Sequence, residues 1–349
     1  MTTRSDCQAL DASDPLAMIR DRFALPARVI YLDGNSLGAL PNHVPERLRQ
    51  VVEDQWGIDL VRSWNKHHWM DLPFRVGERI GRLIGAEPHS VVSVDSTSIN
   101  VYKAVAVARR LRPDRSVILT ESSNFPTDVY VMGSVAEGTD AEVRIVDPSQ
   151  VLSAIDASVA VVALTEVDYR TGRRHNMAKV TAAAHDAGAL AVWDLAHSAG
   201  AFPVDLTGAG ADFAIGCGYK YLNGGPGAPA FIYVAPRHQA AIRNPITGWF
   251  GHAAPFEFSL DFVPAEGIAR ARIGTPHLLS LVGLDAALDV FDDVDLAAVR
   301  VKSLALTGLF MDLVEERLSG HGFEIVTPRE ADCRGSQVGL RHELSLIHI

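Results

Sequence analysis

"DFAIGCGYKYLNGGPGAPAFIYV" (residues 212–234) carries a single lysine, Lys220, between two strand-forming runs and just ahead of the cluster Gly224, Gly225, Pro226 and Gly227. An ammonium group is costly to strip of water, so a lysine at the end of a buried strand either reaches solvent or takes part in chemistry. The flanking runs "FAIGC" (213–217) and "AFIYV" (230–234) lack polar alternation, as strands covered on both faces do.

The same texture recurs outward from this stretch. "VVSV" (91–94), "SVILT" (116–120), "EVRIV" (142–146), "VAVVALT" (159–165) and "LAVWDL" (190–195) bring the strand-like runs to seven. Between them lie helical stretches such as "INVYKAVAVARRLR" (99–112) and "NMAKVTAAAHDAG" (176–188), the second ending on a terminating glycine, Gly188. Strands alternating with helices predict an α/β unit around a mostly parallel seven-stranded sheet. Ligands of such sheets sit beyond the carboxyl ends of the strands, so chemistry is to be sought there. After about residue 250 the pattern changes. "HLLSLVGLDAALDVF" (277–291) and "LAAVRVKSLALTGLFMDLVEERLSG" (296–320) predict long helices, and "GFEIVT" (322–327) opens a smaller α+β unit that the sequence leaves incomplete. The expected organisation is an N-terminal arm (1–30), a large unit (31–276), and linking helices with a partial small domain (277–349).

With 48% hydrophobic and 21% charged residues among 349, the chain can bury a sizeable core. A formal net charge of −10 argues against nucleic acid or an anionic membrane as partner. The N-terminus, "MTTRSDCQALDASDPLAMIR", has no apolar signal segment, and no run is long enough to span a bilayer. Cys7, Cys217 and Cys333 form no C-x-x-C pair, which fits a reducing compartment and no structural zinc. The expectation is a cytoplasmic globular protein.

Five strand ends carry polar or aromatic groups. Ser96, Thr97 and Ser98 follow the first run where a helix begins, and hydroxyls with free N–H groups there suit a phosphate. Taken alone they read as an N-cap. Phe125 and Asp128 follow the second run, alone a core ring and a capping carboxylate. Thr165 and Glu166 end the fourth, Asp194 and His197 the fifth, Tyr219 and Lys220 the sixth. A buried acid at a strand end costs stability unless a cation pairs with it. A phosphate cup, an aromatic plate, a carboxylate, a histidine and a lysine together are the inventory for pyridoxal 5′-phosphate. The lysine would bind its aldehyde covalently, and the carboxylate would keep its ring nitrogen protonated so that the ring serves as an electron sink. Neither G-x-G-x-x-G opening a helix nor G-x-x-x-x-G-K-[ST] occurs. In "WNKHHW" (64–69) the adjacent His67 and His68 lack the helical spacing of metal ligands.

"YLDGNSLGALP" (31–41), "STSIN" (96–100), "NFPTD" (124–128), "WDLAHSAG" (193–200), "GYKYLNGGPG" (218–227) and "GWFGH" (248–252) resemble the kynureninase family, fold-type I pyridoxal-phosphate enzymes of the class V aminotransferase group. The resemblance runs through about residues 28–345. It implies that Lys220 holds the cofactor, Asp194 pairs with its ring nitrogen, His197 sits beside it near the substrate, and Phe125 stacks on the ring. Thr97, Ser98 and Tyr219 would contact the phosphate and its surroundings, while Pro126, Thr127, Asp128 and Thr165 complete the shell. Trp249 and Thr275 would reach the phosphate in a neighbouring subunit, which implies a homodimer. The reaction implied is hydrolysis of L-kynurenine, or 3-hydroxykynurenine, to anthranilate, or 3-hydroxyanthranilate, and L-alanine, a step of tryptophan catabolism toward NAD. Lys220 would remove the Cα proton, water would add to the ketone, and the Cβ–Cγ bond would break, with Tyr219 as acid/base. The "LDGNSLG" turn (32–38) would lie near the substrate mouth, or be a plain turn.

The text departs from the family after "RGSQVGLRHE" (334–343): "LSLIHI" (344–349) continues no expected strand. The chain therefore reads as a C-terminally truncated form, without the arginine the family supplies for the substrate carboxylate. Arg341 is present, but the sequence does not place it in that role. A fork-like arginine is hard to replace there, so weak substrate binding is expected. Two alternatives stay open: a cofactor-binding fragment without catalysis, and a cysteine desulfurase using Cys333, for which Cys333→Ala would abolish activity.

Overall fold

The chain is described here by a computed structural model, which covers residues 2–342. All seven strand-like runs join one sheet: Val91–Ser93 (β1), Val117–Glu121 (β2), Glu142–Val146 (β3), Val159–Thr165 (β4), Leu190–Asp194 (β5), Phe213–Gly216 (β6) and Phe231–Val234 (β7). Their order across the sheet is β1-β7-β6-β5-β4-β2-β3. Only β7 runs against its neighbours, pairing antiparallel with β6 and β1. The carboxyl ends of β1, β2, β4, β5 and β6 therefore share one rim.

Helices cover both faces. Thr97–Arg110 and Pro126–Glu137 pack on one side, against Ile118, Val161, Val192 and Ile215. Leu72–Leu83, Met177–Asp186 and Leu278–Ala287 pack on the other, against Leu119, Val162, Trp193 and Phe231. Neighbouring residues of the inner strands thus serve opposite cores, which is why those runs read as continuously apolar; the edge strand β3 has no fully buried residue. Each fully buried ring, Phe213 on one side and Phe231 on the other, contributes about 2–3 kcal/mol.

The helices begin where the sequence provides caps. The Ser96 side chain accepts from the Ile99 N–H, leaving Thr97 and Ser98 in the first turn. Pro126 opens its helix at the position where no N–H is needed. Asn176 caps the next through Lys179 N. The helix expected to run unbroken through 277–291 ends at Ala287 and tightens into a 3-10 turn, Leu288–Phe291.

Beyond the Leu296–Arg317 helix, Phe323–Ile325 (β8) pairs antiparallel with Leu340–His342 (β9). Arg341 lies on this small sheet opposite Glu324, and its Nε donates to Oε2 of that residue at 2.9 Å. The lead-in to β9 docks on the loop after β4: Arg174 N donates to Cys333 O and Gly335 N to Gly172 O, both at 2.8 Å. The expectation for 344–349 lies outside the described residues. Among the described residues no helix is long and apolar enough to cross a membrane.

Candidate active site

Lys220 follows β6 by four residues, in a loop that bonds to itself. Asn223 N donates to Lys220 O at 3.0 Å and Gly224 N to Gly218 O at 2.9 Å. Gly225 adopts φ +81°, a left-handed conformation that only glycine takes without strain. The turn containing Gly38 presses on this loop, its Gly38 N–H donating to Tyr219 O at 2.8 Å.

The loop forms one wall of a cavity of about 210 Å³ at the rim of the sheet. Thr97 and Ser98 line it from the first turn of their helix, Phe125, Thr127 and Asp128 from the start of the next. Thr165 and Asp194 line it from the ends of β4 and β5, and His197, Tyr219 and Lys220 from the loops beyond. Ten of the thirteen residues expected from the sequence thus come together. Pro126 stays in the helix start without lining the cavity. Trp249 and Thr275 lie outside it and are exposed, the Trp249 ring packing edge-on at 4.3 Å from Phe250.

Charge in the cavity is arranged around Lys220. Its Nζ lies 2.7 Å from His197 Nε2 and about 6 Å from the ring centres of both Phe125 and Tyr219. Burial, and then the charge of Lys220, push His197 down to about 4, so the ring is neutral at physiological pH. Asp128 and Asp194 are buried in hydrogen-bonded contact. Burial first and then the Asp194 charge raise Asp128 well above the usual carboxylate range. Burial also raises Asp194, against the opposing pull of Lys220 and the Ala196 N–H. The pair therefore favours holding a proton between its two carboxyl groups. Burial pushes Tyr219 up to about 12 and the lining thiol of Cys217 up to about 11, so both keep their protons near neutrality.

Sequence reasoning missed Tyr169, Ala196, Cys217 and Gln337. Tyr169 lines the cavity and stands edge-on to Phe125 at 5.1 Å between ring centres. It lies four residues past β4, close enough to a strand end to have been considered. Gln337 touches His197 from far along the chain and had no local signal. A second cavity of about 620 Å³ adjoins the first and shares Tyr169 with it. Leu32, Asp33, Gly34 and Asn35 line it, which puts the "LDGNSLG" turn at the mouth of the site. Cys333 is exposed and lines neither cavity.

The residues present fit pyridoxal phosphate. Among the described residues Asp128 and Asp194 feel the charge of Lys220 but form no ion pair with a cation, and a protonated ring nitrogen would supply one. Thr97 and Ser98 present hydroxyls at the N-terminus of a fourteen-residue helix, where a phosphate is favoured. Phe125 offers an aromatic wall between these two ends.

The family model described as aminotransferase class V matches residues 30–344, which sets the class to which this fold and cavity belong. Among solved structures, a cysteine desulfurase from Thermococcus onnurineus superposes with TM-score 0.78 at 19% identity, over 94% of this chain and 82% of that one. A cysteine desulfurase from Escherichia coli superposes with TM-score 0.77 at 22% identity, over 94% and 82%. Likeness at that identity speaks for the fold alone. The kynureninase of Deinococcus radiodurans is 55% identical over 340 residues, 96% of this chain and 83% of the relative. That of Pseudomonas fluorescens is 51% identical over 349 residues, 98% and 84%. The chain belongs to the kynureninase family of class V pyridoxal-phosphate enzymes.

Proposed function

We propose that the chain hydrolyses L-kynurenine, or its 3-hydroxy form, to anthranilate, or 3-hydroxyanthranilate, and L-alanine, using pyridoxal phosphate held on Lys220. The observation that carries this reading is the placement of Lys220 Nζ at 2.7 Å from Nε2 of a neutral His197 in a cavity lined by the Asp128–Asp194 pair. When bound, the cofactor supplies an electron sink for the negative charge that develops on the substrate's Cα and Cβ. Thr97 and Ser98 hold its phosphate, Phe125 flanks its ring, Thr165 completes the wall, and Asp194 with Asp128 balances its ring nitrogen.

Lys220, released when the substrate amine takes its place, carries the Cα proton. His197 accepts a hydrogen bond from Nζ and holds the amine in the cavity. Water adds to the ketone carbon, and the Cβ–Cγ bond breaks to leave the new carboxylate on anthranilate. Tyr219, which keeps its hydroxyl proton up to about pH 12, is the acid that supplies a proton on the alanine side. The 620 Å³ cavity beside Tyr169 takes the aryl end of the substrate.

The wider reading is a cytoplasmic homodimer serving tryptophan catabolism. Trp249 and Thr275 are exposed and lie outside their own cavity, and nearby loops expose apolar side chains such as Phe256 and Phe258, which supports their use against a second copy. Three unpaired cysteines fit a reducing compartment. On this reading the unit 31–276 lines the cavity around Lys220, and the C-terminal unit reaches it through Gln337, which contacts His197.

The test is product analysis in heavy-oxygen water. Hydrolysis places one solvent oxygen in the anthranilate carboxylate and releases one alanine per anthranilate. A keto acid product or an unlabelled carboxylate would overturn it.

A further inference from the structure

We propose that Gln337 is a positioning residue of this site: it fixes His197 as the Nδ1–H tautomer and thereby turns the Nε2 lone pair toward Lys220. The orientation of the Gln337 amide is set by its backbone neighbours. Its Nε2 donates to Tyr169 O at 2.9 Å and to Asp168 O at 3.3 Å, so Oε1 is the atom that faces His197 Nδ1, at 2.6 Å. Oε1 can only accept, so Nδ1 must carry the proton. A neutral imidazole has one such proton, which leaves Nε2 to accept from Lys220 Nζ at 2.7 Å.

Among the described residues, Gln337 and Lys220 are the side chains that hydrogen-bond the ring. The charged side chains acting on it are Lys220 and Asp168. Asp168 acts on the ring through its charge without a hydrogen bond to it, and its Oδ1 accepts from the N–H groups of Arg170 and Thr171. Tyr221 meets the ring edge-on at 6.4 Å between centres, a packing contact without a hydrogen bond to either ring nitrogen.

Gln337 stands 140 residues beyond His197, on the lead-in to β9. That stretch is tied to the loop after β4 by the Cys333–Arg174 and Gly172–Gly335 backbone bonds and by Thr327, whose Oγ1 donates to Thr171 O at 2.6 Å and accepts from Gly339 N. Seating of the C-terminal stretch and the state of the histidine beside the lysine are therefore one event. The tautomer follows from the chain alone; its consequence for turnover rests on the proposed function.

The experiment is nitrogen NMR of the full chain with labelled histidine, with and without pyridoxal phosphate, the His197 signals being assigned by their loss in His197→Asn. The expected parent spectrum has Nδ1 protonated and Nε2 bare. Gln337→Leu should convert it to a mixture of tautomers, and Gln337→Glu should raise the His197 titration midpoint by at least about one pH unit. Turnover of L-kynurenine by Gln337→Leu should fall about ten- to a hundredfold in kcat with little change in KM, the scale seen when a partner orienting a functional histidine is removed. A parent spectrum with the proton on Nε2 overturns the proposal even if neither variant folds. So does a folded Gln337→Leu whose His197 signals match the parent. The expected spectra in a chain that makes no anthranilate would support Gln337's role and overturn the proposed reaction instead.

Discussion

Acidifying the cofactor-free chain from about pH 7.5 to about pH 5.5 should cost it about 1.4 kcal/mol of stability through His197 alone. The ring is 6% exposed, and burial with the Lys220 charge lowers it from 6.5 to about 4. Below about pH 6.5 the unfolded chain takes up a proton there, while the folded chain does not until about pH 4, so stability falls as pH falls through that window. The whole window is worth about 3 kcal/mol, and about 1.4 kcal/mol of it is spent by pH 5.5. Asp128 and Asp194 act in the opposite sense. Their folded values are raised, so they hold protons that the unfolded chain gives up, and acidification favours the fold through them. The assay is therefore a difference: urea unfolding of parent and His197→Asn at both pH values. The parent should lose about 1.4 kcal/mol more than the variant. Parallel losses would refute the account of a neutral, buried His197.

Three further outcomes follow from the site's supports. Gly38→Ala would put a Cβ 2.2 Å from Lys220 O and 2.4 Å from Asn223 Oδ1, so the lysine loop must move. It should cost about 1–3 kcal/mol in thermal unfolding and weaken cofactor binding, measured by titration of the visible cofactor band. Lys103, 2% exposed, donates to Asp95 Oδ2 at 2.7 Å and Ala271 O at 2.8 Å just before the Ser96 cap, so Lys103→Met should cost about 3 kcal/mol in denaturant unfolding. Asp194→Asn should split two readouts: weaker pyridoxal phosphate binding, yet a cofactor-free chain more stable at neutral pH, because it relieves the repulsion at Asp128.

The sheet was legible because its inner strands are buried on both faces and so read as unbroken apolar runs, as "VAVVALT" does, while the edge strand "EVRIV" keeps polar residues and has no fully buried residue. Much of the cavity was legible because its polar side chains sit within a few residues of strand ends, as Asp194 and Lys220 do, although Tyr169 was missed at a similar distance. Gln337 was not, because it arrives from a separate small sheet by long-range docking, and a single glutamine carries no periodic or spacing signal. Arg341 was likewise ambiguous until β8 and β9 paired and set it opposite Glu324. The helix break at Ala287 was hidden because the apolar spacing continues through the 3-10 turn. Trp249 and Thr275 entered only through family resemblance; in one chain they do not line the Lys220 cavity, and nothing in their local sequence marks a contact with a second copy.

The central claim is that Lys220 carries a kynurenine-cleaving site. Its most direct test is anthranilate fluorescence when the chain, loaded with pyridoxal phosphate, meets L-kynurenine, with Lys220→Ala run beside it. The account predicts anthranilate from the parent and none from the variant. A parent that binds the cofactor on Lys220 yet releases no anthranilate, or a variant that matches the parent, would contradict it.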